Sequence, residues 1–141
     1  MHGYEQDFYA WTQHTAELLR ARRFDEADIE HVAEEIEDMG RKDVRELNSR
    51  MQVLLAHLLK LQVQPDRGSP SWRATITAQR LELEGVLAQS PSLRPKLASG
   101  LAENYARAVK RATAETGLGS ACFPVTCPYR VEQVLDADFF P

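Results

Sequence analysis

Between Asp28 and Gln64, apolar positions follow one another at steps of three or four: Ile29, Ala33, Ile36, Gly40, Val44, Leu47, Met51, Leu54, Leu58 and Leu61. This is the helical period, held over about ten turns. Asp28 can cap the start by accepting a hydrogen bond from a free backbone N–H, and Pro65 forces the end. A helix from Ile29 to Gln62 would be about 50 Å long at 1.5 Å per residue. A compact domain of this chain length is only about 35–40 Å across. Either Gly40 breaks the helix, or the helix projects and a partner covers the overhang. Glycine costs only about 1 kcal/mol inside a helix, and the stripe passes through Gly40 in phase. The pattern therefore predicts a continuous or gently kinked helix, and with it a homodimer.

The other apolar patterns predict shorter helices. Tyr4, Phe8, Trp11, Thr15 and Leu18 make the stripe of a first helix over 4–22, and Phe24 stands just ahead of the next cap. PDRGS at 65–69 is a connection with strong turn chemistry. A third helix is predicted over 70–88, capped by Ser69 or Ser71, with Trp72, Ile76, Leu83 and Val86/Leu87 buried. Ser90-Pro91 starts a fourth, reaching about Glu115 with Leu93, Leu97, Leu101, Tyr105, Ala108 and Ala112 inside; Gly117 and Gly119 end it. A short helix begins at Cys127-Pro128 and reaches about Leu135. Phe123, Val125, Phe139 and Phe140 make the tail too apolar to hang free. The expectation is an all-α bundle of four main helices, the second very long, with a packed C-terminal tail. No strand pattern or repeat is visible.

Composition narrows the class without naming a function. The 141 residues suit one domain spanning 1–141. No apolar run is long enough to cross a membrane, and MHGYEQDFYAW lacks the layout of a signal peptide. A cytoplasmic protein is the expectation. The formal charge of −4 argues against nucleic acid, whose binding rests on phosphate neutralisation. Cys122 and Cys127 then read as reduced thiols, since a C-x4-C pair lacks the further ligands of a structural zinc site.

Three constellations carry candidate chemistry. Glu34, Glu35, Glu37 and Asp38 follow His31 on the long helix. The order does not match the Glu-x-x-His pattern of di-metal bundles, and no second histidine completes a zinc-protease helix. The cluster reads as a solvated acidic face near a helix N-terminus, and neither metal nor cofactor is expected. His57, Lys60 and Gln64 lie along the edge of the leucine stripe and lead into Trp72, Arg73, Gln79 and Arg80. An antiparallel third helix would gather these into a groove able to hold an anion, or into a polar interface fixing the angle between two helices. Asp7, Trp11 and His14 edge the first stripe, where a lone histidine is usually a packing residue. No nucleophile motif or phosphate loop is present.

Taken in order, DFYAW, FDEADIEHVAEEIEDMG, HLLKLQVQP, SWR, QR, PSLR and CPY resemble a bacterial family described as "domain of unknown function 29". Ala27 stands where a leucine is typical, and Leu61 where an aromatic often stands. The resemblance implies an α-helical fold and brings no activity, substrate or cofactor. It marks Asp7, Trp11, Glu34, Glu35, His57, Lys60, Gln64, Trp72, Arg73 and Arg80 as motif positions. The reading that follows is a non-enzymatic homodimeric module binding a protein partner or small anionic ligand. Two alternatives stay open. One is a small enzyme or metal-dependent site using Glu34/Glu35 and His57 with Arg73/Arg80 as anion holders. The other is association with nucleic acid through Lys60, Arg67, Arg73 and Arg80.

Overall fold

A computed structural model describes residues 3–141. Among them are six α-helices and no strands, so the all-α reading holds. The helices are α1 (Phe8–Arg20), α2 (Ile29–Val63), α3 (Pro70–Gln89), α4 (Arg94–Ser99), α5 (Leu101–Thr116) and α6 (Val131–Leu135). The chain divides into two compact units, Met1–Lys42 and Asp43–Pro141, and α2 contributes to both.

The local signals act mostly where the sequence places them. The Asp28 carboxylate accepts from the His31 N–H at the start of α2 at 3.2 Å. Pro65, whose ring cannot continue the helix, follows its end. Gly40 lies inside α2, and a Cβ there would meet nothing within 4 Å. Ser69, not Ser71, caps α3 by accepting from the Trp72 N–H at 3.3 Å. Gly117, at φ 76°, ends α5 in the left-handed conformation that glycine adopts without strain.

Two boundaries differ from the pattern. The first helix runs from Phe8 to Arg20 rather than over 4–22, because Asp7 caps it by accepting from the Ala10 N–H. It stops where Arg22 takes a left-handed φ of 60°, with Arg22 and Arg23 donating back to the Leu19 and Leu18 carbonyls. The fourth predicted helix divides at Gly100 into α4 and α5. There a Cβ would come within 3.0 Å of the Lys96 carbonyl, a tight contact that asks the backbone to give by a few tenths of an ångström, and 3.5 Å from Asn48 on α2, an ordinary one.

In the C-terminal unit, one core joins the later part of α2 to α3, α4, α5 and the tail. Leu47, Met51, Leu54, Leu55, Leu58 and Leu59 are fully buried, together with Ile76, Leu83 and Val134. Phe123 and Tyr129 of the tail are buried in the same core, and Phe139 and Phe140 pack against it. In the N-terminal unit, Trp11, Thr15 and Leu18 are buried on α1. There the predicted stripe departs from its expected role: Ile29, Ala33, Ile36 and Gly40 are exposed.

Candidate functional site

The polar residues at and beyond the end of α2 fall into separate groups of contacts, beginning with Lys60. Lys60 is 5 % exposed. Its Nζ lies 2.6 Å from Glu115 Oε2 on α5 and 5.0 Å from the Trp72 ring centroid on α3. A buried ammonium needs such a partner, because desolvation without one is costly. Burial pushes the Glu115 carboxyl up, but the hydrogen bond and charge of Lys60 outweigh it and hold the carboxyl below its ordinary range. His57, half-buried beside this pair, donates from Nδ1 to the Val53 carbonyl at 2.8 Å. Burial lowers its pKa. A neutral His57 thus carries its proton on Nδ1 and leaves Nε2 as an acceptor.

Arg80 reaches from α3 to the C-terminal tail. It is 6 % exposed; its Nε and Nη2 donors reach backbone carbonyls of the tail, and its buried Nη1 has no hydrogen-bond partner among the described residues. Nε donates to Val134 at 2.8 Å, and Nη2 donates to Phe139 at 2.7 Å and, more loosely, to Gln133 at 3.4 Å. The Gln133 and Val134 carbonyls lie in the last turn of α6, and that of Gln133 also accepts from the Asp136 N–H at 3.2 Å. Arg80 therefore clasps the tail onto α3. Phe140 completes the clasp, with the guanidinium carbons of Arg73 and Arg80 at 4.7 and 5.2 Å from its ring centroid. Gln79 accepts from Arg50 at 3.3 Å, and Gln64 is half-buried just past the end of α2. Lys60 and Trp72 thus come together, Arg73 and Arg80 meet at Phe140, and Gln79 faces Arg50.

The N-terminal unit holds the acidic cluster. The Tyr4 hydroxyl donates to Glu35, and its ring stacks on His31 with centroids 3.9 Å apart and planes 14° apart. The bond to Glu35 holds the phenol protonated, raising its pKa to about 12. Trp11 meets Tyr4 edge-on at 4.9 Å. The His31 Nδ1 lies 2.5 Å from Asp28, and that hydrogen bond raises the histidine's pKa. Asp7 is committed to capping α1, and Glu34 is exposed, 4.0 Å from His31 Nε2. Among the described residues, no group of three or more His, Cys, Asp or Glu side chains is placed to hold a metal ion. No helix of the described residues is long and apolar enough to cross a membrane.

One feature escaped sequence reasoning. Asn104, buried on α5, donates to Asn48 and accepts from Gln52 on α2, both at 3.0 Å. Nothing in its neighbourhood marked it; it falls one residue before Tyr105 in an alanine-rich helix. The first part of the α2 stripe, by contrast, forms an apolar strip that the described residues leave uncovered. Ile29, Ile36 and Met39 are 49 %, 59 % and 58 % exposed, and Ala33 and Gly40, on the same side of α2, are exposed with them. Glu30, Glu34 and Glu37 run along one flank of that strip.

The family model described as domain of unknown function DUF29 matches residues 3–140, and the protein belongs to that family. No curated protein and no solved structure matches the chain.

Proposed function

We propose that this protein is a non-enzymatic interaction module that self-associates through the exposed face of α2 in its N-terminal unit, as a homodimer. One observation carries the reading. A stripe of constant period is buried from Leu47 to Leu61 and exposed from Ile29 to Gly40. A contiguous apolar strip rimmed by charges is the usual mark of a surface that another chain covers. Burying Ile29, Ile36 and Met39 would recover on the order of 1–2 kcal/mol each, since all three are already half-covered. The contacts of Lys60 and Arg80 support a non-enzymatic reading as well. Lys60 is neutralised by Glu115, and Arg80 is bound to carbonyls, so both act as fasteners of the fold.

Sedimentation velocity over a dilution series tests the proposal. The wild-type chain sediments as a dimer that dissociates on dilution. Ile36→Lys, which changes an exposed side chain and leaves the fold intact, sediments as a monomer. A wild-type chain that is monomeric at about 100 μM, a concentration where even a weak (10 μM) dimer would be populated, contradicts the reading. So does an Ile36→Lys chain that associates normally.

A further inference from the structure

A cavity of about 500 Å³ lies in the C-terminal unit between α3, the start of α4 and the end of α6. Its size falls in the range of small-molecule sites. Leu81 and Leu87 of α3 and Leu135 of α6 give it apolar walls. Three charged side chains share those walls: Arg80 and Glu84, one turn apart on α3, and Arg94, the first residue of α4. Arg94 is exposed and, among the described residues, forms no ion pair.

Arg80 distinguishes this cavity from a generic apolar cleft. The side chain is almost wholly buried, and its Nε and Nη2 are spent on carbonyls of the tail. Its Nη1 is buried with them and has no acceptor among the described residues. A buried donor on a charged group is costly to leave unpaired, and native chains seldom keep one without a reason. Nor does a carboxylate pair with Arg80. Burial lowers its pKa, and the compensating charge is the exposed Asp136, which forms no ion pair with it. The clasp on the tail thus accounts for two of the guanidinium nitrogens and leaves the third over.

We infer that this cavity binds a small carboxylic acid with an apolar body, which packs against Leu81, Leu87 and Leu135 while Arg94 and the Nη1 of Arg80 answer the carboxylate. Arginine suits the task, because its fixed fork of donors matches the two oxygens of a carboxylate. Nη1 is closed to bulk water, so a ligand oxygen reaches it as a wall side chain gives way. Leu81 is 63 % exposed, and exposed side chains change rotamer within nanoseconds. The exposed carboxylate of Glu84 favours a monoacid, since a second negative charge would meet it. Because Arg80 also clasps the tail, a bound acid tightens that clasp. The cavity belongs to the C-terminal unit and the α2 strip to the N-terminal one, so this site does not depend on self-association.

Calorimetric titration of the full chain with octanoate and hydrocinnamate tests the inference, with octanamide and octanol as uncharged controls. The acids bind with a Kd below about 1 mM, and the controls bind about tenfold more weakly or not at all. Arg94→Gln, at an exposed position, weakens the acids about tenfold and leaves the controls unchanged. Ala88→Phe fills the cavity from an exposed position and abolishes binding of acids and controls alike. Ala137→Phe replaces it if circular dichroism shows that Ala88→Phe has unfolded. A bound acid also slows hydrogen exchange at the amides of 134–139, because Arg80 gains its missing acceptor. Ile36→Lys binds the acids like the wild type, whatever its state of association. Failure of both acids to bind overturns the inference, as does equal affinity for acids and uncharged controls. So does binding that survives a filled cavity, binding lost in Ile36→Lys, or tail exchange that a bound acid leaves unchanged.

Discussion

Residues 29–40 and 44–61 of α2 carry the same apolar period on one unbroken helix, and they end in opposite environments. In the later stretch, Leu47, Met51, Leu54 and Leu58 have no exposed surface. Three other helices and the tail contribute side chains to the core around them. In the earlier stretch, Tyr4 meets His31 and Glu35, Trp11 of α1 meets His31 edge-on, and Ile29, Ile36 and Met39 stay open. Helical period reports that a face is apolar. It does not report which chain covers it, because the covering residues are distant in sequence or belong to another molecule.

The largest expected effect separates the two stretches by stability. Leu54→Ala removes a fully buried side chain and should cost about 2–5 kcal/mol, the range for cavity formation in a packed core. Ile36→Ala should shift the unfolding free energy of the monomer by no more than about 0.5 kcal/mol, as exposed substitutions do. Urea titration of both variants at low protein concentration reads the difference. Similar losses at the two positions would mean that the earlier stretch is also buried within its own chain.

A smaller effect separates the units by pH. Burial lowers the pKa of His57 in the C-terminal unit. The unfolded chain then takes up a proton more readily, so His57 costs stability as pH falls below about 6.5. His31 in the N-terminal unit has its pKa raised by Asp28. It contributes stability that is complete below about 6.5 and is lost as pH rises through its folded value. His57→Gln should therefore flatten the thermal midpoint on the acid side of pH 6.5, and His31→Gln on the alkaline side. Same-side effects from both variants would contradict the assigned environments.

Much of the fold was readable from local chemistry. Period marked the helices, and Asp28, Pro65, Ser69 and Gly117 marked ends through cap or ring geometry that each residue type carries with it. The end of α1 was not readable, because the left-handed residue there is Arg22 and no glycine signals it. The break at Gly100 was hidden for a different reason: a glycine costs little inside a helix, so it marks no break by itself, as Gly40 within α2 shows. The candidate site was legible as a set of residues and not as a set of roles. Spacing brought Lys60 and Trp72 together, but Glu115 is 55 positions from Lys60. The partners of Arg80 within the chain are backbone carbonyls, which every residue has and no sequence pattern displays.

Methionine oxidation compares the two stretches most directly. Met39 stands in the open strip at 58 % exposure, and Met51 is fully buried in the core. Hydroxyl-radical footprinting at low and high protein concentration reads both in one sample, since attack on a thioether follows its access to solvent. Covering of the strip by a second copy predicts that Met39 oxidises rapidly in dilute protein and becomes protected as concentration rises, while Met51 stays protected throughout. Met39 oxidation at one rate across the whole series would contradict it.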